Sequence, residues 1–598
     1  MKTIKTFYVT FAFIFLGLVP ILAMGQSMPH TFTANTAAKA SEMNANFEYL
    51  LERVGGIRET TVNCGNSGTG SGINTAIQNG YNSIVISGIC KENIYITGAS
   101  GGHLLRIRGA NNDASQDKII DNSNYTEHVL HIGAGATAVV DNITISGGDR
   151  GISAWGNSYL SIDNSKVEGY KNRGINLYSG SYMYVRSNLT IDGSYSGATT
   201  DERGLSMGGG AVAGVGGDLT ITNNQNVGIK VDSSNFDTYS GNLTLTANAR
   251  GIEVGPGSHF TSSSNITISG STNKAISLSQ SIVGLYNDGS ISVTNTTGKI
   301  LQAWMSNMVI HNFSATGDGS TDTEYILGIY KSNSYLANLT ISNSGEQGID
   351  MDDSDVEFDN LTSSNNKESG VSADRSRIKM KNSVISGNKG DGIIIDENSS
   401  LEMRSSTITS NVDEGIKVEG NSRLMVRDAS SITNNGDAAI QINEGSSIYV
   451  KDSTITAISA KNAIRAYNRS SIILSEGSGT TLISTTNADA IQMQSSHGEI
   501  RGGVTVTSDT TGIYLGRDSF ISIEDGATVN GSSNAGSIVG SVRSTINIET
   551  GSTISSPIWC GEAGTTMVRA GNQDPDNASN YIFNAGTTVG NTCIKIAR

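Results

Sequence analysis

Short apolar stretches recur along this chain, and each begins with a small residue followed by an aliphatic one. The pairs Gly348-Ile349, Gly370-Val371 and Gly392-Ile393 are spaced 22 residues apart. Within a stretch the apolar residues alternate, as Ile393 and Ile395 do, which predicts strands with one buried face. A fixed period of this length indicates a solenoid, in which every repeat packs on its neighbours.

Two further strand-like pieces follow in most repeats, such as Arg423–Arg427 and Ser431–Thr433. Three short strands in about 23 residues predict a three-sided coil, and successive coils pair at about 4.8 Å. No long segment has the period of an amphipathic helix within the repeats. We therefore predict an all-β fold, a single parallel solenoid of roughly twenty coils over residues 61–555.

The repeat resembles that of the right-handed parallel β-helix proteins, the pectate-lyase-like superfamily, from Val62 to about Ile554. The segment Thr61–Gly98, with TVNCGNSG and SGICKENIYITG, is similar to the opening coil of exported bacterial β-helix proteins. Most of those proteins have no assigned activity. The resemblance implies a right-handed parallel β-helix, but a fold alone does not assign a function.

The N-terminal segment predicts export. Residues 1–25 contain Lys2 and Lys5 and then an apolar run, which is typical of a cleaved signal peptide. No later apolar run approaches the roughly 18 residues of a membrane span. We therefore expect a secreted protein, in the extracellular space, on the cell surface or in the periplasm, with no membrane span after signal removal.

Both ends of the predicted rod carry distinct segments. Residues 26–60 form a leader, and an amphipathic helix within 37–54 either covers the first coil or mediates oligomerisation as a short coiled coil. Residues 556–598 are predicted to form a closing cap. The four cysteines of an exported chain predict two disulfides. Short loops favour the local pairs, Cys64 with Cys90 and Cys560 with Cys593.

Charge narrows the choice of partners. The chain of 598 residues has 40 Lys and Arg against 55 Asp and Glu, a formal net charge of −15. Phosphate binding depends on basic residues, so nucleic acid is excluded as a partner. An acidic surface is also expected to repel an anionic polysaccharide unless a divalent metal bridges the two.

The repeat predicts a column of acids. We call the small residue that begins each repeat the anchor, and residues at equal offsets from it fall on one vertical line because the coils stack. The residues four positions after the anchor are Asp352, Asp374, Asp396 and Glu419. Like charges on paired strands repel, so this column needs a counter-charge. Arg375, Arg377 and Lys417 provide one solution. A Ca²⁺ ion bound by the four acids is the other, and it is the sole cofactor that the sequence suggests.

Aromatic residues fall on columns in the early coils. Trp155 and Tyr178 lie four residues after their anchors, and Tyr159 and Tyr182 lie eight residues after them. Stacked outward aromatics bind the apolar faces of sugar rings, or they stabilise the sheet by cross-strand pairing. A column of Asn residues, Asn365, Asn388, Asn411 and Asn434, is interpreted as a structural ladder in turns.

Two short fragments of the sequence resemble active-site motifs of related enzymes. Asp352-Asp353 and Arg377-Ile378-Lys379 resemble two fragments of the polygalacturonase site, but the Gly-His-Gly of those enzymes is missing. Asp352, Asp353 and Arg377 are therefore the candidate catalytic residues of an alternative function only.

The sequence favours an exported module that binds carbohydrate or another cell-surface polymer. The first alternative is a polysaccharide lyase or glycoside hydrolase with a groove near Asp352–Glu419. The second is a structural, adhesin-like spacer without a ligand pocket.

Overall fold

The computed structural model describes residues 57–597 except 98–103, 112, 287–288, 319–324, 459, 525, 533–534, 550, 561–563, 571–582 and 586–590. The predicted signal peptide and the predicted helix within 37–54 lie outside the described residues. All structural statements below concern the described part of the chain.

Each coil has three sides, which we number in chain order. In one coil Arg150–Trp155 forms side 1, Tyr159–Asp163 forms side 2 and Ser165–Glu168 forms side 3. Each strand pairs in parallel with the equivalent strand one coil later, as Arg150–Trp155 does with Arg173–Tyr178. Side 1 contains 21 described strands, which confirms the prediction of roughly twenty coils in a parallel all-β solenoid.

The strands of side 1 are Ile94–Ile96, His128–Ile132, Arg150–Trp155, Arg173–Tyr178, Arg203–Gly208, Val227–Val231, Arg250–Val254, Lys274–Ser279, Lys299–Trp304, Leu327–Tyr330, Ile349–Asp352, Val371–Asp374, Ile393–Asp396, Ile416–Val418, Ile440–Ile442, Ile464–Ala466, Ile491–Met493, Ile513–Leu515, Ile538–Gly540, Ile558–Cys560 and Phe583–Ala585.

The strands of side 2 are Glu59–Gly70, Ser83–Lys91, Leu104–Gly109, Thr137–Asp141, Tyr159–Asp163, Tyr182–Val185, Val212–Val215, Asn235–Thr238, His259–Ser262, Ile282–Leu285, Asn307–Thr316, Asn333–Ser342, Asp355–Ser364, Arg377–Lys381, Ser400–Arg404, Arg423–Arg427, Ser447–Lys451, Ser471–Ser475, His497–Ile500, Phe520–Ile523, Thr545–Ile548, Gly564–Ala570 and Asn591–Ala597. Four of these strands continue into side 3, namely Ser83–Lys91, Asn307–Thr316, Asn333–Ser342 and Asp355–Ser364.

The remaining strands of side 3 are Lys118–Ile120, Thr144–Ser146, Ser165–Glu168, Asn188–Asp192, Asp218–Thr222, Asn242–Thr246, Asn265–Ser269, Ile291–Thr294, Val384–Ser386, Thr407–Thr409, Ser431–Thr433, Thr454–Thr456, Leu482–Thr485, Thr505–Ser508, Thr528–Asn530 and Thr553–Ile554.

The core is one continuous column of aliphatic side chains inside the coils. Ile393, Ile416 and Ile440 are stacked opposite one another and are fully buried. The small anchor residue before them is required by close approach to the next coil. A Cβ atom at Gly174, for example, would lie 2.7 Å from the carbonyl oxygen of Gly204. The Gly-aliphatic repeat of the sequence is therefore a packing requirement.

An asparagine ladder runs inside one corner, and it contains two of the four predicted members, Asn388 and Asn411. The buried residues are Asn366, Asn388, Asn411 and Asn435. In each step the backbone N–H and the side-chain amide of one Asn donate to Oδ1 of the next, at 3.1 Å and 2.8 or 2.9 Å. Asn365 and Asn434 instead hold left-handed backbone, with φ of 57° and 56°. The sequence suggested that one Asn both turns the backbone and forms the ladder, but in the first and last of these coils two adjacent Asn residues divide these roles.

A serine ladder at the corner between sides 1 and 2 was not predicted. Its buried members are Ser306, Ser332, Ser354, Ser376, Ser399, Ser422 and Ser446. The backbone N–H of each of the first six donates to the Ser Oγ of the next coil, at 3.0–3.2 Å. In both ladders side-chain oxygens accept hydrogen bonds from backbone N–H groups at the corners. The chain leaves the strands there, so these N–H groups have no sheet partner.

The N-terminal end is closed by a disulfide and a short helix. Cys64 and Cys90 are bonded, as predicted. The six-residue helix Ile73–Gln78 follows, and the carboxylate of Glu92 accepts the N–H groups of its first residues. This helix was not predicted.

Parallel pairing continues into the segment that the sequence assigns to a cap. Ile558–Cys560 pairs with Phe583–Ala585, and Gly564–Ala570 pairs with Asn591–Ala597. Cys560 is disulfide-bonded, but the side chain of Cys593 lies outside the described residues. The pairing of these two cysteines stays a prediction.

We expect Asn388→Ala to destabilise the solenoid by about 1–3 kcal/mol, because two buried donors of Asn366 lose their acceptor. The measurement is the thermal unfolding midpoint, together with hydrogen exchange of the Asn366 amide. Asn188→Ala, on an exposed strand position, is the matched control and should change stability by less than about 0.5 kcal/mol. Equal effects of the two substitutions would contradict the ladder.

Candidate functional site

The outward positions of side 1 form straight columns in the early coils. Arg150 lies opposite Arg173, and Trp155 lies opposite Tyr178. Residues of three coils line an open pocket of about 540 Å³, which we call the side 1 pocket. Its lining consists of His128, His131, Arg150, Ser153, Trp155, Arg173, Asn176, Tyr178 and Ser179.

Two aromatic rings are presented to solvent at the rim of the side 1 pocket. Trp155 is 46% exposed and Tyr178 is 55% exposed, so neither is held by the core. The indole N–H of Trp155 donates to Nε2 of His131 at 2.8 Å, which fixes the orientation of the ring. An oriented, solvent-exposed aromatic pair provides a flat apolar surface with a polar edge.

The arginines of the pocket are only partly compensated. Nε of Arg150 and Nε of Arg173 are shielded from solvent and have no hydrogen-bond partner in the described structure. Nε of Arg150 lies 3.7 Å from Oδ2 of Asp149, and Nη2 of Arg173 lies 3.9 Å from Oδ2 of Asp201. Burial, followed by the charges of Arg150 and Arg203, lowers the pKa of Arg173. The pocket therefore has a positive electrostatic potential, and a bound anion would stabilise the charged arginines.

The two histidines of the pocket have lowered pKa values for the same two reasons, burial and a neighbouring arginine. Burial, followed by the charge of Arg150, lowers the pKa of His128 to about 4. Burial and then Arg150 also lower the pKa of His131. Both imidazoles are therefore neutral at neutral pH, and their Nδ1 atoms have no partner in the described structure. They add neutral hydrogen-bonding groups beside the charged arginines.

The structure divides the four predicted aromatic residues between two sides. Trp155 and Tyr178 lie at the side 1 pocket, whereas Tyr159 and Tyr182 lie around the corner on side 2, with ring centroids 5.3 Å apart. A Cβ atom at Gly214 would lie 3.3 Å from Oη of Tyr182 and close to two further tyrosine rings. Tyrosines that cover an outward glycine stabilise a sheet, and sugar binding by Tyr159 and Tyr182 stays a prediction.

Sequence reasoning missed the basic residues of the pocket. Arg150 and Arg173 directly precede the anchor glycines, and that position was not followed as a column. His128 and His131, which the sequence analysis did not single out, lie on the strand His128–Ile132. Tracking every offset of the repeat, rather than the acidic and aromatic offsets alone, would have found the arginines.

The predicted acidic column exists. Asp352, Asp374 and Asp396 lie directly opposite one another. The backbone N–H of Glu419 donates to the carbonyl oxygen of Ile395 in the coil that contains Asp396. Arg375 forms ion pairs with Asp352, Asp353 and Glu397. Lys417 pairs with Glu419 at 3.0 Å. Basic side chains thus provide counter-charge at the two ends of this column, at Asp352 and Glu419.

The candidate catalytic residues lie on two sides of the coil, since Asp352 ends a strand of side 1 and Arg377 begins a strand of side 2, and their catalytic role stays a prediction. Asp352 and Asp353 are bound by Arg375. Arg377 lies on side 2, opposite Asp355 and Ser400. The described grooves near this region also open on side 2; one of about 480 Å³ is lined in part by Asp355, Glu357 and Lys379.

Among the residues that the structure describes, no group of three or more His, Cys, Asp or Glu side chains is arranged to hold a metal ion. The Ca²⁺ site at the acidic column stays a prediction. In the same part of the chain, no helix has the length and apolar character that crossing a membrane requires.

The comparisons with known proteins concern the fold. The family model described as right handed beta helix region matches residues 325–482. No curated protein matches the chain. The fold is that of a right-handed parallel β-helix repeat protein, as the sequence predicts.

Solved structures with similar folds are alginate epimerases. The A-module of mannuronan C-5 epimerase AlgE4 from Azotobacter vinelandii is 15% identical, with a TM-score of 0.25; the match covers 67% of this chain and 90% of that one. The periplasmic alginate epimerase AlgG is 10% identical, with a TM-score of 0.26, and the match covers 67% and 85%. At these values the similarities carry no argument about function.

The acidic column predicts that Asp374→Asn stabilises the protein near pH 7. Burial and the neighbouring acids, Asp396 first among them, raise the pKa of Asp374. The free energy of unfolding therefore falls as pH rises from the unfolded pKa through this raised folded pKa. Removing the charge should recover roughly 0.2–1 kcal/mol at pH 7, and the gain should vanish near pH 3. Thermal melts at the two pH values measure it.

The same variant tests the Ca²⁺ prediction. If a cation binds the four acids, Asp374→Asn should lower the melting temperature in Ca²⁺ and abolish any shift between Ca²⁺ and chelator. A stabilised variant with no Ca²⁺ effect in either protein would leave ion pairing as the sole role of the column.

Proposed function

We propose that this right-handed parallel β-helix protein is an exported binding protein whose side 1 pocket holds a carbohydrate polymer. The observation that carries the proposal is the placement of exposed Trp155 and Tyr178 beside Arg150 and Arg173 in one pocket. Sugar rings present apolar C–H faces that stack on such aromatics. The proposal concerns binding and assigns no chemical step.

The arginines favour acidic sugars within that class. A guanidinium group binds a carboxylate through two parallel hydrogen bonds, and this geometry is stronger than a bond between neutral groups. The shielded Nε atoms of Arg150 and Arg173 are donors without partners in the described structure. A uronate carboxylate or a comparable anionic substituent forms charge-assisted bonds with a guanidinium group, whereas the hydroxyl groups of a neutral glycan form weaker ones.

The net charge of −15 does not oppose this assignment. Charges farther away than a Debye length, about 8 Å at physiological ionic strength, are largely screened. The acidic column begins at Asp352, several coils beyond the side 1 pocket. An acidic polymer can therefore approach the arginines without a bridging metal, contrary to the expectation from composition alone.

Export is the second part of the proposal. The Cys64–Cys90 disulfide supports an oxidising compartment, since such bonds are rare in the cytosol. The signal peptide predicted in residues 1–25 points the same way. The protein then acts in the periplasm, on the cell surface or outside the cell.

Binding tests separate this function from the alternatives. We expect the protein to bind polygalacturonate or alginate more tightly than uncharged dextran in affinity electrophoresis and calorimetry. Trp155→Ala should raise the Kd for the acidic polymer about 10-fold, because ring stacking is lost. Arg173→Gln should weaken binding of the acidic polymer and leave that of dextran unchanged.

Tyr286→Ala is the matched control, because Tyr286 is as exposed as Tyr178 but lies by the side 2 groove. It should leave every affinity unchanged. If no polymer binds, the spacer alternative is favoured. New reducing ends or unsaturated products would instead support a hydrolase or a lyase.

A further inference from the structure

The residue pattern of the side 1 pocket occurs again farther along the chain. The strands Arg150–Trp155 and Arg173–Tyr178 read RGISAW and RGINLY, and Lys299–Trp304 reads KILQAW. Each has a basic residue first, a polar residue fourth and an aromatic residue sixth. In the third strand these positions are Lys299, Gln302 and Trp304.

The two copies lie on the same columns of side 1. An unbroken series of parallel pairs connects Arg150 to Lys299 through Arg173, Arg203, Val227, Arg250 and Lys274. Lys299 is therefore six coils from Arg150. At about 4.8 Å per coil, the two sites are about 29 Å apart along the solenoid.

The second copy presents an exposed aromatic surface of its own. Trp304 is 44% exposed, and its ring lies 5.9 Å from that of Tyr330 in the next coil. The hydroxyl of Tyr330 donates to Asp350 at 2.6 Å, which holds the ring in place. Lys331 contributes a positive charge 5.5 Å from the centre of the Trp304 ring. Aromatic pair and cation thus recur together, as in the first pocket.

Polar groups of the second copy are also organised. Gln302 donates to the hydroxyl of Tyr325 at 3.0 Å and accepts from the ammonium of Lys274. Lys299 lies over the ring of Tyr325 at 4.6 Å. In the second copy Lys274 thus contacts an amide oxygen and Lys299 contacts an aromatic ring.

The surface between the copies is compatible with a chain lying across it. The sixth position is occupied there by Gly208, Asp232, Gly255 and Ser279, none of which is larger than Asp, and the ring of Tyr178 lies over Gly208. The intervening cations are balanced by acids: Arg203 pairs with Asp201, and Arg250 pairs with Glu253. This stretch neither presents a bulky obstacle nor adds strong repulsion.

We propose that Lys299, Gln302, Trp304 and Tyr330 form a second binding site for the same class of acidic carbohydrate, and that one polymer chain occupies both sites along side 1. This inference rests on the proposed function of the side 1 pocket. Binding at the first site makes binding at the second intramolecular, so affinity increases once the ligand spans the gap.

The dependence of affinity on chain length tests the proposal. Size-fractionated oligogalacturonates or oligo-alginates are titrated by calorimetry against the full protein. We expect weak binding with two equivalents for oligomers much shorter than about 29 Å. Affinity should rise roughly 100-fold or more, with one equivalent, once the chain exceeds that length.

Single-site variants distinguish the two sites. Trp304→Ala and Lys299→Gln should each remove the rise in affinity with length while preserving binding of short oligomers at the first site. Trp155→Ala should also remove the rise and leave one weak site. Tyr286→Ala should preserve both the rise and the stoichiometry.

Two outcomes overturn the second site in different ways. Short oligomers that bind with one equivalent and depend on Trp155, with no rise at longer lengths, would refute the second site and leave the proposed function intact. A rise that persists in Trp304→Ala would place the additional contacts elsewhere. Absence of binding by every oligomer and polymer would refute both proposals together.

Discussion

The structure depends on the parallel hydrogen-bond register between successive coils. Each strand bonds to its equivalents one coil earlier and later, and the corners continue the same register through Ser and Asn side chains. A slip of one residue would turn the aliphatic core outward, so the register is strongly specified. The same constraint turns residues that are 22 to 24 positions apart in sequence into vertical neighbours. Every functional column on the surface follows from it.

The fold was accessible from the sequence because its cause is local and repeated. The small anchor and the alternating aliphatics predicted the period, the three sides and the approximate number of coils. The corners were harder to predict. Asn365 and Asn366 are adjacent and chemically identical, and only the backbone geometry shows that one turns left-handed while the other is buried in the ladder. The serine ladder was missed because its offset of six or seven residues after the anchor, as at Ser354, Ser376 and Ser399, was not followed as a column.

The candidate site was predicted only in part. Trp155 and Tyr178 were found because aromatics are rare in this chain and stand out at a fixed offset. Arg150 and Arg173 were missed because overall acidity drew attention to Asp and Glu, although net charge says nothing about where charges lie. The role of Arg375 likewise depended on geometry: sequence spacing did not indicate that one guanidinium contacts acids of the coil before and the coil after its own. Side-chain direction at corners is decided by turn conformation, which the repeat pattern does not encode.

The surface of the solenoid is thus divided by chemistry. Early coils of side 1 combine aromatic and basic residues, and later coils of the same side carry the compensated acids. The central claim is that the aromatic and basic part of side 1 is where a polymer binds. Hydroxyl-radical footprinting of the full protein, with and without a saturating acidic polysaccharide, tests this most directly. The account predicts reduced oxidation of Trp155 and Tyr178 and unchanged oxidation of Tyr286 on side 2. Protection of Tyr286 with Trp155 and Tyr178 still fully reactive would contradict it.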